Sequence, residues 1–298
     1  MTSCRWRLFG VIAAGAMGRL SEGLGSVTLI WLVMQRGNGG VGLGMLAAVS
    51  ATAFVMSSLY GGALVDRFGA RSLAAPCILL SAVPVAILAL NAQSPTLTMP
   101  LILGLVLLAQ LPDGATAAAT DACLPELAVG AELPLERVNA ADDLIDGLAA
   151  IAGAPIAGLL ITLYGVETSL WVVVAIAMAA AVMCRLAIPR TESPRSTVRL
   201  DVLAGVRQIF GQRSLFALVL FASTLVAVFQ CLDDVILPVM VNSLRQEADA
   251  LGYVLGCAGA GGVMGAMVYM ILCQRLRTKS TMILTTGMIA GALIAIAV

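Results

Sequence analysis

The chain contains no histidine. That absence removes a Ser-His-Asp triad, a histidine-ligated metal and a histidine proton relay. Any proton this protein handles must be carried by carboxylates. Charge of either sign is also scarce: 11% of the 298 residues are charged, against about 25% in an ordinary soluble domain. The 17 basic and 17 acidic residues cancel, so the basic excess that nucleic acid demands is missing and nucleic acid is not an expected partner. The seven cysteines (Cys4, Cys77, Cys123, Cys184, Cys231, Cys257 and Cys273) form no C-x-x-C pair. Nearly all lie in apolar runs, where cysteine behaves as a small hydrophobe, so neither a disulfide framework nor a redox motif is expected. Aromatic residues make up 5%. Trp6, Trp31 and Trp171 fall near the ends of apolar runs, where interfacial anchors sit. No cofactor and no metal are expected, and an enzymatic reading is weak because the motif contexts of intramembrane proteases are missing.

What the chain has in abundance is apolar surface. It is 60% hydrophobic, with a mean hydropathy of +1.00. Such a composition cannot cover itself with polar groups in water, so the bilayer is the expected solvent. A spanning helix needs about 20 mostly apolar residues. Nine runs qualify: 8–34, 42–65, 72–91, 98–121, 141–164, 168–188, 214–241, 250–273 and 280–298. The first follows Arg5 and Arg7 and is too long for the apolar stretch of a cleavable signal peptide. Turn-forming residues separate the runs at Gly37-Asn38-Gly39-Gly40, at Asn91-Ala92-Gln93-Ser94-Pro95 and at Tyr164-Gly165-Val166.

The basic residues set an orientation. With the N-terminus in the cytoplasm, every basic residue except Arg19, Arg36 and Arg245 falls on the inner side. The expected product is a multi-pass protein of the cell (inner) membrane. The longest polar stretch, 189–213, ends in an amphipathic pattern: Val202, Leu203, Val206, Ile209 and Phe210 recur at helical spacing among Arg199, Asp201, Arg207 and Arg213. This predicts an interfacial helix on the inner leaflet, joining a six-helix half to the later helices. A weak repeat at an offset of 208 residues pairs Leu29 with Leu237, Gly44 with Gly252, Arg67 with Arg275, Arg71 with Lys279 and Ser72 with Ser280. Parallel six-helix repeats are a transporter architecture. The expected domains are thus 1–190, a six-helix half; 191–213, a cytoplasmic linker; and 214–298, three helices of a second half.

Between the second and third runs lies Gly61-Gly62-Ala63-Leu64-Val65-Asp66-Arg67-Phe68-Gly69-Ala70-Arg71-Ser72-Leu73. Small glycines let helices approach closely, and Gly69 permits a tight turn. Asp66 and Arg67 stand where bilayer meets water, able to pair with a moving neighbour. The segment resembles the signature loop of the major facilitator superfamily, G-x-x-x-D-R-x-G-R-[KR], through Gly62, Asp66, Arg67, Gly69 and Arg71; it departs at Ala70, where that family usually has a basic residue. The resemblance implies a gate latch between two halves, weakened at Ala70.

A second likeness lies in the fifth run, at Gly147 and at Gly153-Ala154-Pro155-Ile156-Ala157-Gly158. A proline flanked by small residues bends a spanning helix and allows tight packing. The segment resembles the G-P-x-x-G-G antiporter element of the superfamily's exporters, with Ala154 and Leu159 where that element has glycine. Leu124-Pro125-Glu126-Leu127 and Arg137-Val138-Asn139-Ala140 are similar to the branch that exports drugs and siderophores. The resemblance implies an all-α polytopic bundle of the major facilitator type, with about nine of the usual twelve helices, two sets of six.

Charges inside apolar runs complete the candidate set. Arg19 and Glu22 are three apart, hence on one helix face. Asp113 lies inside the fourth run, Asp146 in the fifth, and Asp233 and Asp234 in the seventh. A charge near the bilayer centre costs about 2.5–3.5 kcal/mol on insertion scales, so these side chains should line a cavity or pair. Asp142 and Asp143 open the fifth run, and a bland reading makes them helix caps at the inner interface. The bland alternative makes Arg19–Glu22 a structural ion pair and Asp113 an interhelical hydrogen-bond partner.

The sequence therefore predicts export of a small hydrophobic or amphipathic compound by alternating access. Proton entry would drive it through Glu22 and one of Asp233 and Asp234. The partners are the substrate, protons and the lipid bilayer. Two alternatives stand beside this reading: a metabolite importer or facilitator, and a truncated transporter inactive alone that needs a partner chain to complete it.

Overall fold

A computed structural model of the chain describes residues 2–36, 39–188, 211–243 and 248–272. Every regular element among them is helical. In chain order these are α1 (Thr2–Gln35), α2 (Gly39–Phe68), α3 (Ala70–Asn91), α4 (Met99–Gln110), α5 (Asp113–Gly130), α6 (Leu135–Ala187) and α7 (Arg213–Cys231). A π-helical turn, Leu232–Ile236, leads into α8 (Leu237–Ser243), and α9 covers Ala248–Leu272. Four stretches are long and apolar enough to cross a membrane by length and composition: Gly39–Phe68, Ala70–Asn91, Met99–Gly130 and Arg137–Ala187. The ninth predicted run, 280–298, and most of the expected linker at 191–213 lie outside the described residues.

Three of the predicted runs show further detail. The fourth run is not one helix over 98–121: it is α4 and α5, broken at Leu111–Pro112 and extending to Gly130. Pro112 has no N–H to continue the backbone ladder. The fifth and sixth runs are two helices, as expected, and are labelled together as the two legs of α6 because they meet directly at the turn on Gly165 (φ 86, ψ 168). That backbone is open to glycine and strained for other residues. The seventh run is helical throughout, with a π bulge at Leu232–Ile236 that carries Asp233 and Asp234.

The chain divides into two compact units, Met1–Gly256 and Cys257–Val298. The second is described only as the last turns of α9. In the first, α1 is the central post and both legs of α6 clasp it. On the first leg, a Cβ at Gly153 would come within 2.9 Å of the Gly23 Cα. On the second, the Thr28 and Ser169 hydroxyls share a 2.7 Å hydrogen bond. Ser21 Oγ donates to the Val173 carbonyl at 3.2 Å, and a Cβ at Gly10 would meet Ala187 Cβ at 2.8 Å. The second leg therefore runs antiparallel to α1. Close approach through small residues is the packing available where no hydrophobic effect drives helices together.

Two apolar clusters fill the bundle at its opposite ends. One gathers Leu24, Val27, Leu43, Leu88, Ile102 and Leu170; the other gathers Leu8, Val11, Ala74, Leu127, Cys184 and Ala187. Each end is also tied by an arginine on main-chain carbonyls. Arg36 donates to Leu97 O at 2.9 Å and to Ala92 O at 2.7 Å, holding the α3–α4 loop. At the other end Arg71 donates to Ile188 O at 2.6 Å.

A polar cleft midway along the bundle

Between the two apolar clusters lies a cleft of about 130 Å³. α1 presents Gly18, Arg19, Ser21 and Glu22 to it, near the middle of its 34 residues. α5 contributes Asp113, Thr116, Thr120 and Asp121, a stripe at helical spacing on one face. Ser81 of α3 and Asp142 of α6 complete the polar lining. Pockets that enclose drug-sized ligands run to about 300–1,000 Å³; this volume suits a few waters or a small ion.

Arg19 Nη1 donates to Glu22 Oε2 at 3.1 Å, with the two side chains 47% and 54% exposed. The ion pair thus faces the cleft instead of closing into the protein. Asp113 opens the first turn of α5, directly after the helix break, so it is a side chain at a discontinuity and not mid-helix as expected. Among the described residues no three His, Cys, Asp or Glu side chains cluster closely enough to hold a metal ion. Acid-rich lining of this kind can exchange protons with water and attract cations.

Of the other predicted residues, Asp233 and Asp234 do not line this cleft. They lie in the π turn, where Gln230 Nε2 donates to Asp234 Oδ2 at 2.6 Å. The Asp146 side chain is outside the described set. Asp142 and Asp143 are not caps, because α6 begins at Leu135 and the cap position is Pro134.

The glycine-rich segment 61–73 forms the end of α2 and the start of α3. Gly69 sits between them with φ 81 and ψ 144, its N–H bonded to Val65 O at 2.8 Å. Asp66 and Arg67 are exposed, with the Arg67 guanidinium 5.3 Å from the Phe68 ring centroid. Arg71 reaches back to Ile188, so this segment touches the end of α6.

The small residues around Pro155 pack on two sides. Gly153 faces α1. On the other side, a Cβ at Gly252 would lie 2.6 Å from Ala154 O and 3.2 Å from Gly158 Cα, and one at Gly256 would collide with the Pro155 ring. Sequence reasoning missed this α6–α9 crossing, although Gly252-x-x-x-Gly256 is a readable small-residue spacing. It also missed Ser21, Ser81, Thr116, Thr120 and Asp121; the spacing of Asp113, Thr116 and Thr120 was the available signal.

Comparison with known proteins agrees with this architecture. Residues 11–298 match the family described as Major Facilitator Superfamily. The chain is 30% identical over 300 residues to the "Multidrug efflux pump Tap" of Mycobacterium tuberculosis (strain ATCC 25618 / H37Rv), covering 96% of this chain and 71% of that protein. The Mycobacterium bovis (strain BCG / Pasteur 1173P2) protein of the same name gives the same figures. That of Mycolicibacterium fortuitum is 27% identical over 290 residues, covering 93% and 68%. A match over nearly the whole chain, on an all-helical bundle with a polar cleft at mid-height, makes this chain a member of the Major Facilitator Superfamily of transporters.

Proposed function

We propose that the protein exports small hydrophobic or amphipathic compounds across the inner membrane, exchanging them for protons by alternating access. The observation that carries this reading is the cleft: Glu22, Asp113 and Asp142 gather with Arg19 halfway between two apolar clusters. Acids at that depth are costly and serve a carrier that must load and release protons on alternate sides. The names of the relatives, multidrug efflux pumps, support the direction and the breadth of substrate.

In this scheme Glu22 and Asp113 take and release protons within the first half. One of Asp233 and Asp234 serves the second half, and Arg19 holds Glu22 ready as its counter-ion. Asp66, Arg67 and Arg71 form the gate on the cytoplasmic side, with the N-terminus on that same side. Six helices in 1–190 and those from 214 onward move as the two halves about the linker at 191–213. Gly153, Pro155 and Gly158 give the bend at the crossing. The substrate occupies a cavity that includes the polar cleft.

The experiment is dye accumulation in cells expressing the protein, with ethidium as probe. Expression should lower ethidium accumulation, a protonophore should restore it, and Asp113→Asn should abolish the difference at unchanged membrane abundance. Efflux that persists with the gradient collapsed would sink proton coupling. Ethidium accumulation unchanged by expression would count against export.

A further inference from the structure

The break between α4 and α5 is held from outside by α2. Pro112 offers no N–H, and the N–H of Gly114, two residues on, donates to the hydroxyl of Ser57 on α2. Ser57 is buried, with 4% of its surface exposed. One turn further along α2, Gly61 leaves no room for a side chain against the Gly114 carbonyl; Gly114 likewise abuts the Ser57 backbone and hydroxyl. Two turns earlier, Ser50 accepts a 3.2 Å hydrogen bond from Nε2 of Gln110, the last residue of α4. Ser50, Ser57 and Gly61 share one face of α2, and that face grips the broken helix on both sides of its gap.

Asp113 is the residue between Pro112 and Gly114, and its side chain lines the cleft with Arg19 and Glu22. We propose that Ser57 is a positioning residue for Asp113: by accepting the Gly114 N–H at the break, it fixes the first turn of α5 so that the Asp113 carboxyl faces the cleft. Without that acceptor a part-buried N–H loses its partner, and the first turn of α5 can rotate to find another. The role of Asp113 in transport rests on the exporter reading; the placement of its side chain by Ser57 does not.

The test uses the full chain with its native cysteines replaced, carrying either Asp113→Cys or Thr120→Cys, and measures the rate of modification by a methanethiosulfonate ethylammonium reagent. Adding Ser57→Ala should slow modification at position 113 about fivefold while leaving position 120 within about twofold, on the scale of one net hydrogen bond. Ser57→Thr, which keeps the hydroxyl, should leave both within about twofold. Three results would each overturn the assignment: an unchanged rate at position 113 in Ser57→Ala, an equal slowing at both positions, or a thiol at position 113 that is inert beside native Ser57. In the ethidium assay, Ser57→Ala should displace the pH profile of efflux and Ser57→Thr should restore it; an unmoved profile overturns the role in transport. If native protein moves no ethidium while Ser57→Ala still slows modification at position 113, the exporter reading fails and the positioning stands.

Discussion

Gly153 of α6 stands against Gly23 of α1 so closely that a Cβ on Gly153 would lie 2.9 Å from the Gly23 Cα. The obstruction is backbone, which cannot swing aside. Gly153→Ala should therefore cost about 1–3 kcal/mol, the usual penalty for overpacking, and Gly153→Leu should prevent stable assembly. Gly104→Ala is the control, since nothing lies within 4 Å of its added Cβ. Thermal unfolding of detergent-purified protein separates them: a lowered Tm for Gly153→Ala and an unchanged one for Gly104→Ala is the expected result.

Gly69 has φ 81 and ψ 144, a combination that belongs almost wholly to glycine, and other residues there cost about 1–3 kcal/mol. Gly69→Ala should lower Tm accordingly. Gly69→Asn should not rescue it, because asparagine tolerates the left-handed helical region and not this more extended one. Equal stability of all three proteins would show that the turn does not need its glycine.

The opposite change is expected to help at Glu132. This residue follows α5 with φ 57. Leu133 N–H reaches Ala128 O at 3.0 Å and Glu132 N–H reaches Val129 O at 3.1 Å. That is the helix-ending pattern in which glycine is preferred at the left-handed position. Holding a side chain there costs about 1–2 kcal/mol, so Glu132→Gly should raise Tm by part of that amount. A fall in Tm would mean that the Glu132 side chain contributes something the backbone account omits.

Arg19 and Glu22 are paired but half-exposed, so their mutual contribution should be small, about 1 kcal/mol or less. A double-mutant cycle of Arg19→Met, Glu22→Gln and the combination, read by Tm, should give a coupling of that size. The single Arg19→Met should be worse than the double, because it leaves the Glu22 carboxylate without its counter-ion while the double removes both charges. Strictly additive effects would show that the two do not stabilise each other.

Much of this architecture is legible in order of residue number. The long apolar runs mark α2 and α3 within a few residues, because about 20 apolar residues have one stable outcome in lipid. The Arg19–Glu22 pair follows from spacing on one helix. The break at Pro112 does not. Pro76, Pro84, Pro125 and Pro155 all lie inside intact helices, so proline alone does not announce a gap. What distinguishes Pro112 is Ser57, far earlier in the chain, accepting the Gly114 N–H. The membership of the cleft was hidden for a similar reason. Asp121, Asp142 and Ser81 are ordinary residues in their own helices and meet only because α5 and α6 pack on α1 while α3 packs on α5 and α6. The π turn under Asp233 and Asp234 did leave a readable trace: Pro238, just beyond it, has no N–H to offer the Asp234 carbonyl.

The height of the polar cleft on α1 has an electrical consequence. Arg19 and Glu22 lie about half-way along a helix of 34 residues, with an apolar cluster above and another below. Moving one elementary charge through the whole bilayer is worth about 2.3 kcal/mol per 100 mV. A charge that stops at this level traverses roughly half the drop, about 1.2 kcal/mol per 100 mV. In the proposed carrier, with α1 spanning the bilayer, filling or emptying the cleft would be voltage-dependent from whichever face it opens. A carrier built on this half should turn over at a rate set by membrane potential as well as by pH, even when the compound it moves is itself neutral.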